Sequence, residues 1–231
     1  MIKENQAICV FKNEKVVYAS YVKEFTSDLY EEFDFYAKEI GLHSKINDLF
    51  DGEKVNFTES LAAWHPKYRA EYNPNEFDTP SRKEQDSQLH NFYKLCTDAK
   101  NIITIGIGGS LEGPKMLFEN MEFTHFDTNF IFMSGSDLSE FSLNTEKLNP
   151  EETIFLVLSK SFATQETLLL LKEAISWSGD IQKFVAITAN KDEAKKYDIR
   201  CILEFDNEIG GRYSIWSEIS LLINWLDKEN F

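Results

Sequence analysis

From residue 101 onward the chain alternates short, nearly unbroken apolar runs with stretches in which apolar residues recur every three or four positions. The runs cover 101–107, 129–134, 153–158, 183–188 and 200–205. Each has strand length, and continuous apolar character is what a strand covered on both faces requires. Helical spacing fills 111–120, 138–147, 164–177 and 191–196, and a last helix is predicted over 214–227. Alternating β and α elements predict an α/β fold, a doubly wound parallel sheet of about five strands flanked by helices. Such sheets bind ligands at the carboxyl ends of their strands.

Upstream the rhythm differs. Residues 8–18 read as two short strands around a turn, and 22–41 carry Phe25, Leu29, Phe33, Tyr36 and Ile40 at helical spacing. From 43 to 82 the pattern weakens and Pro66, Pro74 and Pro80 interrupt it, so short helices and loops wrapping a larger body are expected. A helix near 84–97 leads into the sheet. The expected organisation is a helical and looped N-terminal extension over 1–83 and the sheet domain over 84–231.

Composition narrows the function classes. Hydrophobic residues make up 42% of the 231 and charged residues 27%, which suits a folded domain with a substantial core. With 24 Lys and Arg against 39 Asp and Glu, the net charge is −15. Such a field repels polyanions, so neither nucleic acid nor an anionic membrane is an expected partner. Cys9, Cys96 and Cys201 are odd in number and widely spaced, so neither a disulfide frame nor a metal site is expected, and no cofactor is indicated. No signal core or membrane-length apolar stretch occurs, and a cytoplasmic location is expected.

Glycine is sparse, only 10 in the chain, yet Gly106, Gly108, Gly109 and Gly113 fall together and Gly210 and Gly211 are adjacent. Three motifs follow strand ends. Gly106-Ile107-Gly108-Gly109-Ser110-Leu111-Glu112-Gly113-Pro114 could converge backbone N–H groups on an anion, with Ser110 as helix N-cap and Pro114 in the first turn. It could equally be a tight strand–helix turn. It is neither a dinucleotide GxGxxG nor a P-loop, because Leu111 and Pro114 stand where those motifs need glycine and lysine. In Ser159-Lys160-Ser161-Phe162-Ala163-Thr164-Gln165-Glu166-Thr167, the hydroxyls of Ser159, Ser161 and Thr164 exceed what N-capping requires. They suit a phosphate monoester at a helix N-terminus. In Glu208-Ile209-Gly210-Gly211-Arg212-Tyr213-Ser214, paired glycines hold an arginine in a turn at the top of the last helix. Arg212 could stabilise an oxyanion, or it could sit in a structural ion pair, and the motif alone does not decide.

In order and combination these segments resemble the glucose-6-phosphate isomerase family, whose members show Gly-Ile-Gly-Gly-Ser-x-x-Gly-Pro, Ser-Lys-Thr-Phe-x-Thr-x-Glu-Thr and Gly-Gly-Arg-Tyr/Phe-Ser. Asn56-Phe57-Thr58-Glu59 and the more loosely matched Ala62–Arg69 stretch extend the resemblance over roughly 40–230. It implies a sugar-isomerase (SIS) type, flavodoxin-like domain. It also implies that Ser159, Lys160, Ser161 and Thr164 hold the substrate phosphate and that Gly109 and Ser110 lie beside the sugar. Arg212 would stabilise the enediolate between glucose 6-phosphate and fructose 6-phosphate. Ser161 and Ala163 replace threonines of the pattern, and Leu111-Glu112 replace Asp-Leu. His65 is read as structural.

Aldose–ketose isomerisation needs a base to move a proton between C2 and C1. The resemblance places that glutamate, a ring-opening histidine from a dimer partner and a late lysine in a second SIS domain beyond the Gly-Gly-Arg motif. No Glu or His of this chain occupies the matching context. The chain is therefore expected to bind hexose phosphate, to lack the base and to be inactive alone, with a homodimer expected of the full architecture. A non-catalytic sugar-phosphate-binding module is the alternative. The apolar stripe of the last helix, from Ile215 to Leu226, is expected to be partly exposed.

Overall fold

The computed structural model describes residues 9–12, 17–63, 81–121 and 127–226. The chain forms two compact units, Met1–Leu61 and Ala62–Phe231. In the first, β1 (Cys9–Lys12) and β2 (Val17–Ser20) pair antiparallel. Helix α1 (Ser27–Glu39) starts later than its apolar spacing suggests, because the Thr26 hydroxyl accepts from the Leu29 N–H at 3.3 Å and fixes the N-terminus there. Helix α2 (Leu42–Phe50) follows. Neither helix buries a residue: Phe33 and Tyr36 of the α1 stripe are 53% and 58% exposed. The Asn56 carboxamide accepts from the Thr58 hydroxyl at 2.7 Å and organises a tight turn closed by the Asn56–Leu61 bridge.

Among its described residues the second unit contains α3 (Ser81–Asp98), β3 (Asn101–Gly106), α4 (Glu112–Asn120), β4 (Asn129–Met133), α5 (Leu138–Thr145) and β5 (Thr153–Leu158). Then come α6 (Gln165–Ser178), β6 (Phe184–Thr188), α7 (Lys191–Lys195), β7 (Cys201–Glu204) and α8 (Leu221–Leu226). The five strands β3–β7 pair in parallel in the order β4-β3-β5-β6-β7. Numbered within the sheet this is 2-1-3-4-5, the flavodoxin-like order, and the chain reverses its winding direction between β3 and β5. The doubly wound five-stranded parallel sheet expected from the apolar runs is thus present.

Both faces are covered, which explains the lack of polar alternation in β3, β5 and β6. One face packs Ile103, Phe155 and Phe184 against Phe141 of α5, Leu170 and Ala174 of α6 and Ala194 of α7. The other packs Ile102, Leu156 and Val185 against Phe92 and Cys96 of α3 and Leu222 of α8. On that side Phe118 of α4 meets Phe130 and Phe132 of β4, with ring centroids 5.0 and 5.3 Å apart. Cys96 and Cys201 are buried free thiols, pushed up from the usual thiol range by burial.

Two expectations are corrected. Ser110 does not cap α4: residues 108–110 form a 3-10 turn, so the helix starts at Glu112 behind Leu111, which makes no side-chain cap. The helix predicted over 214–227 is instead two 3-10 turns, Gly211–Trp216 and Glu218–Ser220, followed by α8. Ser217 breaks it, because its extended backbone interrupts the helical path. Its hydroxyl donates to the Ser214 carbonyl at 2.6 Å and accepts from the Ile219 N–H, competing with helix bonds. The terminal stripe is partly exposed, as expected: Leu222 and Ile223 are buried, whereas Ile215, Leu221, Trp225 and Leu226 are half-buried, the last three packing on the core.

Candidate functional site

The reversal point sets the site. Gly106 of β3 and Leu158 of β5 are register partners, so the segments that follow them leave the sheet side by side. After β3, Gly108 takes a left-handed conformation (φ 55°) that a side chain would resist, and the 3-10 turn carries Gly109 and Ser110. Because Ser110 is not a helix cap, its hydroxyl is not spent on one.

After β5, residues 159–164 form a loop tied to β6. The Ser159 N–H donates to the Ile187 carbonyl at 3.1 Å. The Lys160 carbonyl accepts from the Ala189 N–H and from the Thr188 hydroxyl, both at 3.1 Å. Within the loop, the Phe162 N–H donates to Ser159 Oγ at 3.1 Å and the Ala163 N–H to Ser161 Oγ at 3.2 Å. Both hydroxyls serve as acceptors there, which leaves each O–H free to donate. Thr164 is the N-cap residue of α6, yet its side chain makes no capping bond. Ser159 is buried, Ser161 exposed, and Lys160 and Thr164 lie between these extremes. Three hydroxyls thus stand at the positive end of a 14-residue helix, an arrangement whose donors could meet an anion.

Phe162 accounts for the loop's shape. Its φ is 50°, left-handed, and its ring is 1% exposed. That backbone conformation costs a bulky residue roughly 1–2 kcal/mol. Burying the ring contributes about 2 kcal/mol and offsets it.

The third segment returns to the first. Beyond β7, Phe205 N–H donates to the Thr188 carbonyl, and Glu208 N–H donates to the Asp206 carboxylate at 2.9 Å. The Glu208 carboxylate accepts from the Ala62 N–H at 2.5 Å. The turn carrying Arg212 then packs on residues 108–110. The buried Ser214 hydroxyl donates to the Gly211 carbonyl at 2.7 Å and lies 3.3 Å from the Gly109 carbonyl oxygen. Arg212 is exposed and forms no ion pair among the described residues. Gly109, Ser110 and Arg212 are therefore brought together, beside the loop that carries Ser159, Lys160, Ser161 and Thr164. His65 and Arg69 lie outside the described residues.

Sequence reasoning missed Thr188, the positioning of Ser214 and the strained backbone of Phe162. An apolar residue between hydroxyls was the available signal for the last. It also missed Glu218, whose carboxyl is pushed up to about 7 by burial and, secondarily, by the neighbouring Asp206 charge. Its Oε2 is buried without a hydrogen-bond partner among the described residues. No group of three or more metal-ligating side chains occurs among the described residues, and no described helix is long and apolar enough to cross a membrane.

The parallel sheet in 2-1-3-4-5 order, with a hydroxyl-lined helix N-terminus and a glycine turn at its reversal point, is the flavodoxin-like sheet of the sugar-isomerase (SIS) type that the motif resemblance implied. A sequence profile of the family described as Phosphoglucose isomerase matches residues 20–227, and the chain belongs to that family. It is 34% identical over 212 residues to the glucose-6-phosphate isomerase of Wigglesworthia glossinidia brevipalpis, covering 81% of this chain and 39% of that one. It is 34% identical over 227 residues to the glucose-6-phosphate isomerase of Neurospora crassa, covering 84% of this chain and 40% of that one. The crystal structure of a glucose-6-phosphate isomerase from Chlamydia trachomatis shares the fold, with a TM-score of 0.74 at 22% identity over 94% of this chain and 46% of that one. The chain thus spans about 40% of the length of these curated relatives.

Proposed function

We propose that this chain forms the phosphate- and enediolate-binding part of a glucose-6-phosphate isomerase, acting on glucose 6-phosphate and fructose 6-phosphate. The observation that carries the reading is the packing of the Arg212 turn onto Gly109, next to the loop of Ser159, Ser161 and Thr164. In this reading the phosphate lies against the hydroxyls of that loop and the amides at the start of α6, with Lys160 beside it. Gly109 and Ser110 flank the sugar. A base takes the C2 proton of the open-chain aldose, and the carbonyl oxygen at C1 gains negative charge as the enediolate forms. Arg212 stabilises that charge with fixed donors. Transfer of the C2 hydroxyl proton to the C1 oxygen and return of the abstracted proton to C1 give the ketose. The base is assigned to no residue of this chain, and a homodimeric, cytoplasmic enzyme is part of the same reading.

Calorimetric titration with fructose 6-phosphate and inorganic phosphate, alongside a coupled turnover assay, tests it. The sugar phosphate is expected to bind about tenfold more tightly than phosphate. Thr164→Val should weaken both ligands and Arg212→Ala the sugar phosphate selectively, without protein-dependent turnover. No binding of either ligand overturns the reading. Turnover by the chain alone overturns the assignment of the base elsewhere. Tight binding indifferent to Arg212→Ala identifies a non-catalytic binding module instead.

A further inference from the structure

A left-handed residue within the hydroxyl loop and another just after α7 are linked by one ring contact. Among the described residues, four non-glycine positions have a left-handed backbone: Ser60, Ala63, Phe162 and Asp198. Phe162 and Asp198 are 36 positions apart in sequence yet are joined through Tyr197. The Tyr197 ring stands edge-on to that of Phe162, with centroids 5.9 Å apart and planes at 65°. Tyr197 packs on the core cluster that contains Phe162, and its N–H is held by the Ala194 carbonyl at the end of α7. The exposure pattern follows from this anchor: Ser161 and Ala163 are exposed on either side of a buried Phe162, and Thr164 begins α6.

We propose that the Phe162–Tyr197 ring pair positions the anion-binding loop. Tyr197, outside the loop and remote in sequence, is a positioning residue for phosphate binding. A ring seated on Tyr197 draws Phe162 into the core and holds its backbone left-handed. That conformation aims the Phe162 and Ala163 N–H groups at Ser159 Oγ and Ser161 Oγ. With those oxygens already accepting, the hydroxyl protons of both serines turn outward as donors. Without the Tyr197 ring, Phe162 loses its seat and the loop relaxes toward ordinary dihedrals, scattering the donors. The consequence for phosphate rests on the reading given under Proposed function.

The experiment compares Tyr197→Ala, Tyr197→Phe and Phe141→Leu, the last a loss in the same core cluster away from the loop. Affinities for inorganic phosphate and fructose 6-phosphate are measured well below the unfolding temperature, together with amide hydrogen exchange at Phe162 and Ala163. Tyr197→Ala is expected to weaken both ligands by about tenfold and to speed exchange at both amides by a similar factor. Tyr197→Phe, which keeps the ring, should restore both, and Phe141→Leu should alter neither. Unchanged affinity and exchange in Tyr197→Ala, or an equal loss in Phe141→Leu, overturns the positioning role. If the native chain binds neither ligand while Tyr197→Ala still frees the two amides, the positioning role stands and the phosphate reading falls.

Discussion

The backbone of Gly109 lies directly against that of Gly211. A β-carbon on Gly109 would stand 2.1 Å from the Gly211 carbonyl oxygen and 3.0 Å from the Arg212 amide nitrogen. Main chain meets main chain here, so no side-chain rotation can relieve an added methyl. The glycine therefore sets the distance between the loop after β3 and the turn that carries Arg212.

Gly109→Ala should push the Arg212 turn away from the strand ends. Overpacking costs about 1–3 kcal/mol where neighbours can yield, and a rigid backbone sits at or above the upper end. Thermal unfolding should show that loss, and fructose 6-phosphate affinity should fall while phosphate affinity holds. A variant with native stability and native sugar-phosphate affinity would show that the two segments move apart freely.

Ser214→Ala tests the other fastening of the same junction. Its hydroxyl is buried and spans the Gly211 and Gly109 carbonyls, so its loss should cost about 1 kcal/mol. The expected signature is a small drop in unfolding temperature with a selective loss of fructose 6-phosphate over inorganic phosphate. Equal losses for both ligands would mean that Ser214 supports the domain generally and not the junction.

The sheet was legible because β3, β5 and β6 are buried along their whole length, and continuous burial writes a continuous apolar run. The strand-end placement of the three motifs was legible for the same reason. The region after Gly211 was not. Ile215, Leu222 and Ile223 keep an apolar rhythm, while one hydroxyl, Ser217, reroutes the backbone between them. The stripe of α1 has helical spacing and is helical, yet spacing cannot say whether anything covers it, and Phe33 and Tyr36 are exposed. Phe162 was opaque because left-handed turns are ordinarily announced by glycine or asparagine. Here burial of a ring takes the place of that announcement.

Thr188 is fully buried and serves two bonds, donating to the Lys160 carbonyl and accepting from the Asn190 N–H at 3.0 Å. Thr188→Val preserves its volume and removes both. Because the Asn190 N–H loses its acceptor, the cost should be about 1–3 kcal/mol in denaturant unfolding. The root of the hydroxyl loop loosens with it, so phosphate affinity should also fall. A stability loss with unchanged phosphate affinity would confine Thr188 to a structural role.

Glu218 makes stability depend on pH. Its carboxyl ionises near 4.5 in the unfolded chain and is pushed up to about 7 in the fold, chiefly by burial, with the Asp206 charge adding to the shift. Between those values the folded state keeps a proton that the unfolded state has released, so the unfolded state gains as pH rises. The contribution of the neutral carboxyl is fully present below about pH 4.5 and is lost as pH climbs through 7. A difference of about 2.5 units corresponds to about 3 kcal/mol. Native unfolding free energy, measured by denaturant at a series of pH values, should therefore fall from pH 5 to pH 8. Glu218→Gln, neutral throughout, should flatten that fall and be more stable than the native chain at pH 8. Parallel profiles for the two proteins would show that Glu218 ionises in the fold as it does in water.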